Sequence, residues 1–156
     1  MASSEPVIPV DQQELDVAFE VVSERTGPDE PGEAWEALCR FVLEHEGQAG
    51  SWDVTLALVD DETLRGLHDR FMGLDSVTDV MTFPVDEDDL DGGDIVISVG
   101  RAAAQGPEHG LSATEEVRFL FVHGLLHLCG WDDGSSEQRD AMLRRQTDLL
   151  DLFTAM

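Results

Sequence analysis

Apolar residues recur along this chain with two periods, and the switches between them lay out the fold. From Leu15 to Val22, Leu15, Val17, Phe19 and Val21 alternate with Asp16, Ala18, Glu20 and Val22, the pattern of a half-buried strand. Gly27-Pro28 and Pro31-Gly32 mark a loop over 23–32. Trp35, Leu38, Cys39, Val42 and Leu43 then fall at helical spacing and predict a helix over 33–46, punctuated by Gly47 and Gly50. A second strand over 52–59 places Trp52, Val54, Leu56 and Leu58 on one face. Asp60-Asp61-Glu62 opens a second helix, where acidic side chains suit the positive end of the dipole. After a loop over 73–78 comes a strand over 79–83, stopped by Pro84. An acidic connection of hairpin length leads to a continuous apolar strand over 93–99, then a short helix over 101–105 broken by Gly106-Pro107.

Two capping boxes follow. Ser112 with Glu115 opens a helix whose core side is Val117, Leu120, Phe121, Leu125 and Leu128. Ser135 with Gln138 opens a last helix running to about Leu152. Residues 1–13 read as a tail and 14–156 as a single α+β domain of four strands and about five helices, with no repeat or low-complexity linker.

A length of 156 residues and 42% hydrophobic content suit one domain with a real core. No apolar run approaches the roughly 18 residues that would span a bilayer, and the first residues have neither a basic nor an apolar signal-peptide region. Cys39 and Cys129 make no disulfide framework, so the expectation is a cytoplasmic protein. Charge changes the picture more: 34 acidic residues face 9 basic ones, for a net charge of −25, and every basic residue is arginine. Such a surface repels nucleic acid and anionic membranes at low salt. Either polyanions are not partners, or the protein works in concentrated salt, where the screening length falls to about 3 Å at 1 M. The absence of lysine inclines us to the second.

The candidate chemistry lies in His123-Gly124-Leu125-Leu126-His127-Leu128-Cys129-Gly130-Trp131-Asp132-Asp133. Two histidines four apart on a helix project from one face. Gly130 can take the left-handed conformation that ends a helix, so a carboxylate just beyond can return to the same point. His123, His127 and Asp133 would supply three ligands and leave a fourth tetrahedral position open, the plan of a catalytic zinc site. Asp132 could substitute for Asp133. The competing reading makes the histidines ordinary core or surface residues and the aspartates a turn. Cys129 lies about 200° around the helix from His127 and reads as core. Gly124 stands where the protease pattern H-E-x-x-H has its glutamate base, which demotes peptide hydrolysis. His45, His68 and His109 read as surface or capping residues. Glu116 shares the histidine face and reads as a solvated charge or, less favoured, a support for the metal ligands.

The motif resembles that of the YbeY family of bacterial metal-dependent endoribonucleases, H-G-x-L-H-L-x-G-[YW]-D-H. Two further stretches are similar to the family's: Phe71 to Pro84, against Y-R-x-x-D-x-P-T-D-V-L-S-F-P, and Gly93-Asp94-Ile95-Val96-Ile97-Ser98, against G-D-I-x-I-S. The resemblance covers roughly Leu15 to Leu152. It implies a mixed sheet, one zinc ion near the end of a central helix, and hydrolysis of phosphodiester bonds in ribosomal RNA. His123 and His127 fall on its ligand positions, with His123 and His127 also named as catalytic. Asp133 stands in place of its third histidine, which would leave the zinc less electropositive and its bound water less acidic. Met72 stands in place of an arginine and Leu74 in place of a basic residue, so phosphate handling would pass to other groups, such as Arg70 or Arg101, or be weakened; each arginine taken singly reads rather as an ordinary solvated surface charge. Thr78, Asp79 and Asp94 match family positions and read equally as hydrogen-bonding residues or as neighbours of the metal.

The leading expectation is therefore a zinc-dependent endoribonuclease of rRNA maturation and ribosome quality control, with ribosomal RNA and a ribosomal subunit as partners and neither DNA nor membrane. A non-catalytic, metal-stabilised ribosome-assembly factor is the alternative, and a metallopeptidase-like hydrolase a more distant one.

Overall fold

The computed structural model describes residues 14–23, 31–74 and 78–156. The expected tail over 1–13, most of the loop over 23–32, and Asp75-Ser76-Val77 lie outside the described residues.

Four strands form one mixed sheet: β1 (Leu15–Ser23), β2 (Gly50–Val59), β3 (Val80–Pro84) and β4 (Asp91–Ser98), in the order β1-β2-β4-β3. β1, β2 and β4 run parallel, and β3 returns antiparallel to β4 at the edge. The helices are α1 (Gly32–His45), α2 (Asp61–Met72), α3 (Val99–Gln105), α4 (Ala113–Leu128) and α5 (Ser136–Thr154). The architecture is the expected α+β class. Period-two alternation does its work in β1, where side chains alternate between half-buried and exposed. Both capping boxes form, with Ser112 and Ser135 accepting from the amides of Glu115 and Gln138.

The sheet is covered on both faces. Trp52, Val54, Leu56, Leu58, Ile95 and Ile97 point into the main core beneath α1, α4 and α5. Val59, Leu64, Met81 and Val96 form a smaller cluster with Leu67 under α2. Alternation along β4 divides its side chains between the two. Trp35 meets Phe121 edge-on at 5.9 Å between centroids, locking α1 to α4. Burying each such side chain contributes roughly 1.5–3 kcal/mol of transfer free energy.

Two boundaries differ from expectation. β4 begins at Asp91 rather than Gly93, and the acidic connection tightens into a turn closed by Glu87 and Leu90. Gly92 and Gly93 do not interrupt the strand; they let it pack closely, because a Cβ on Gly92 would stand 2.1 Å from the Asp53 carbonyl oxygen. The start of α3 differs too, at Val99 rather than Arg101, while its end at Gln105 falls where Gly106-Pro107 was expected to break it. α3 passes into a 3-10 turn over Gly106–His109, where proline's missing N–H costs nothing.

α4 is the central helix, packed on α1, α3, α5 and the β3–β4 pair. Gly124 sets how closely it approaches the sheet: a Cβ there would lie 2.7 Å from Ile95 Cγ2. Gly124→Ala is therefore expected to destabilise the protein by about 1–3 kcal/mol through overpacking. Urea unfolding of the two proteins checks this.

Candidate metal centre

The site is built where α4 ends. Cys129 closes the helix, and Gly130 follows at φ +100. The Gly130 amide donates to the His127 carbonyl and the Trp131 amide to the Leu126 carbonyl, both at 3.0 Å. These paired bonds reverse the chain and satisfy the last helical acceptors. The reversal carries the Trp131 carbonyl back over the helix end, where it accepts from His127 Nδ1 at 3.0 Å.

That bond decides the chemistry of His127. A carbonyl oxygen only accepts, so Nδ1 carries the proton and Nε2 of the neutral ring presents a lone pair. His123 is settled the same way. The Gln146 amide nitrogen donates to the Phe119 carbonyl at 3.3 Å, which turns its Oε1 to His123 Nδ1 at 2.9 Å. Nδ1 of His123 must donate, and its Nε2 is also a bare acceptor. The two Nε2 atoms lie 3.1 Å apart with rings near perpendicular at 86°. Asp133 Oδ2 completes the triangle at 3.5 Å from His123 Nε2 and 3.4 Å from His127 Nε2.

With both Nδ1 atoms donating, the Nε2 atoms and the Asp133 carboxylate oxygen are the three atoms that face one point. All lie within 4.8 Å of one another, so the group could hold a metal ion. Ligand atoms about 2.1 Å from a common tetrahedral ion would stand about 3.4 Å apart. The donor set fits. Asp132 does not compete for this place: it is exposed, and its Oδ1 accepts from the amides of Asp133 and Gly134. It makes the turn that presents Asp133.

A cavity of about 530 Å³ opens on the triad, walled by His68, Met72, Thr78 and Asp79. His68 was read as a surface or capping residue, with no link to the site. It stands one turn before Met72 on α2, and that i, i+4 spacing was the available signal that both face one way. Asp94 is not brought to the site; it is exposed, beside Ile95 whose side chain faces α4. The thiols of Cys39 and Cys129 are both pushed up to about 12 by burial, and Cys129 packs against the main core, so neither offers a thiolate. A larger apolar groove, about 810 Å³ between α4 and α5, contains none of the triad.

A profile of the family described as Endoribonuclease YbeY matches residues 22–154. The chain belongs to the endoribonuclease YbeY family. Proteins named Endoribonuclease YbeY are similar to it at 38% identity over 144 residues in Gloeobacter violaceus, covering 85% of this chain and 74% of that one. In Carboxydothermus hydrogenoformans the identity is 42% over 112 residues, covering 70% and 77%. The solution structure of a Thermotoga maritima protein shares the fold at a TM-score of 0.58 and 23% identity, covering 88% of this chain and 93% of that one.

Against the YbeY pattern, the departure at Met72 leaves a thioether on the cavity wall, and Met72 is 61% exposed. Arg70 does not replace the missing guanidinium there; it lies over the Phe71 ring at 5.9 Å. Arg101 borders a second cavity of about 300 Å³ that shares His123 and Asp133 with the first, and Arg139 borders it too. Arg139 was not singled out from the sequence, because nothing in its spacing joins α5 to α3.

Glu116 corrects an expectation. It is not a solvated charge but 1% exposed, accepting from His109 Nδ1 at 3.0 Å and from Gln105 at 3.4 Å. Supports for the triad come instead from Gln146 and the Trp131 carbonyl. The bond to Glu116, then its charge, raises the His109 pKa above the ordinary 6.5. A raised folded-state pKa contributes stability that is fully present below pH 6.5 and is lost as pH rises through the raised value. Melting temperatures across that range should show wild type above His109→Gln at the acidic end, with the gap closing as pH rises.

Proposed function

We propose that the protein is a zinc-dependent endoribonuclease acting on ribosomal RNA during maturation and quality control of the ribosome, in the cytoplasm. The observation that carries the reading is the pair of imidazole lone pairs 3.1 Å apart with a carboxylate beside them. Family membership supports the substrate class. Among the described residues no helix is long and apolar enough to cross a membrane. The domain concerned is the one expected over 14–156.

In this reading His123 and His127 hold the ion through Nε2 and Asp133 through a carboxylate oxygen. When bound, zinc supplies a water acidic enough to act as nucleophile at neutral pH and polarises a phosphoryl oxygen. The protein's own residues do the rest. Gln146 and the Trp131 carbonyl hold the imidazole protons away from the metal side. Arg101 and Arg139 meet backbone phosphates beside the scissile one, since a guanidinium offers paired donors to phosphate oxygens. Substrate enters over the wall formed by Met72 and His68.

The exposed Met72 and the charge of −25 favour a second reading, an assembly factor in which metal only secures the fold. The peptidase reading is weakened further by Gly124, whose Cβ direction runs into Ile95 and leaves no place for a glutamate base.

Cleavage of rRNA fragments by the zinc-loaded protein, in low and molar KCl, separates these. The proposal expects cleavage that chelation and His127→Ala reduce to background and that Arg101→Ala lowers about tenfold or more, the loss of a charge-assisted hydrogen bond of about 1.5–3 kcal/mol. It expects activity to persist or rise in molar KCl, where self-repulsion with RNA is screened. Zinc binding without cleavage in either salt would favour the assembly factor.

A further inference from the structure

Resting on that metal reading, we infer that Glu46, outside the site and just past the end of another helix, is a positioning residue for all three ligands. Glu46 follows the last residue of α1, and its carboxylate is only 8% exposed. Each oxygen has a different partner. Oε1 accepts from the indole nitrogen of Trp131 at 2.6 Å, and Oε2 accepts from Nε and a terminal nitrogen of Arg145, each at 2.7 Å. Arg145 also donates to the His45 carbonyl at 3.2 Å, tying it to the end of α1 twice.

Both partners connect to the supports of the metal triad. Trp131 supplies the carbonyl that accepts from His127 Nδ1, and Asp133 is two residues further along the same turn. Arg145 precedes Gln146, whose amide fixes His123. A single buried carboxylate therefore fastens the turn that carries one support and one ligand, and the helix that carries the other support.

The consequence for the triad follows from the bonds. The Trp131 amide is tied to Leu126 at 3.0 Å, but it lies in the peptide before the residue and the carbonyl in the peptide after it, so that bond alone does not fix the torsion between them. The indole anchor is the second fixed point, and two fixed points set the direction of the carbonyl. With the anchor lost, the carbonyl can swing from His127 Nδ1. The ring can then rotate or take the other tautomer, and Nε2 no longer presents its lone pair toward His123. Partners that orient ligand imidazoles affect metal affinity by about ten- to a hundredfold. Removing the carboxylate alone also leaves the Arg145 guanidinium uncompensated, so Trp131→Phe, which changes no charge, is the variant that isolates geometry from the field at the metal.

Zinc affinity of the full chain, by competition with a chromophoric chelator, tests this against the melting temperature of the metal-free protein. Trp131→Phe keeps the ring in its core contact and deletes only the donor. We expect zinc binding about tenfold weaker or more, with a cooperative metal-free melt. Glu46→Ala should weaken binding at least as much, and Glu46→Gln, which keeps an acceptor for the indole, should recover part of the loss. Zinc affinity within twofold of wild type in folded Trp131→Phe would overturn the inference, even if Glu46→Ala lowers the melting temperature. Failure of the wild type to bind zinc would instead overturn the metal reading itself.

Discussion

Two imidazole Nε2 atoms held 3.1 Å apart, each with its ring's Nδ1 committed to an acceptor, are the contact the fold has to hold in place. Every element near the end of α4 contributes to that. The helix spacing stacks His123 over His127, and the glycine turn returns the chain so that a carbonyl fixes one proton. A buried glutamine amide fixes the other, and the next turn adds a carboxylate rather than a counter-cation. A group assembled to concentrate electron pairs at one point has its natural resolution in a cation.

The position of this centre also explains the layout of the sheet. α4 approaches β4 closely enough that residue 124 has no room for a side chain. The histidines therefore lie on the flank of the helix that looks past the edge strand β3, where the chain after α2 walls the cavity. The three side chains that could hold a metal are 20–39% exposed, buried enough to be held and open enough for a further group to approach.

Most of this was legible in the sequence. The i, i+4 histidines, the glycine and the aspartate placed the three donors on one point, and the two capping boxes fixed where α4 and α5 begin. Four strands followed from apolar alternation and runs. What was not legible were contacts between residues far apart in the chain. Gln146 looked like one more polar residue on an amphipathic helix, yet its burial against His123 depends on how α5 crosses α4. Glu116 looked solvated because its partners, His109 and Gln105, lie on elements whose packing no local pattern reports. Gly92 was read into the acidic connection because a glycine that ends a strand and one that admits a neighbouring backbone look alike until the strands are paired.

The central claim is that three bases at the end of α4 share one metal ion. Zinc titration of metal-free wild type and Asp133→Ala, with bound metal counted per folded chain, tests it most directly. The account predicts one tightly held ion in wild type and markedly weaker binding when the carboxylate is removed. A folded wild-type chain that takes up no zinc at any concentration up to its solubility would contradict it.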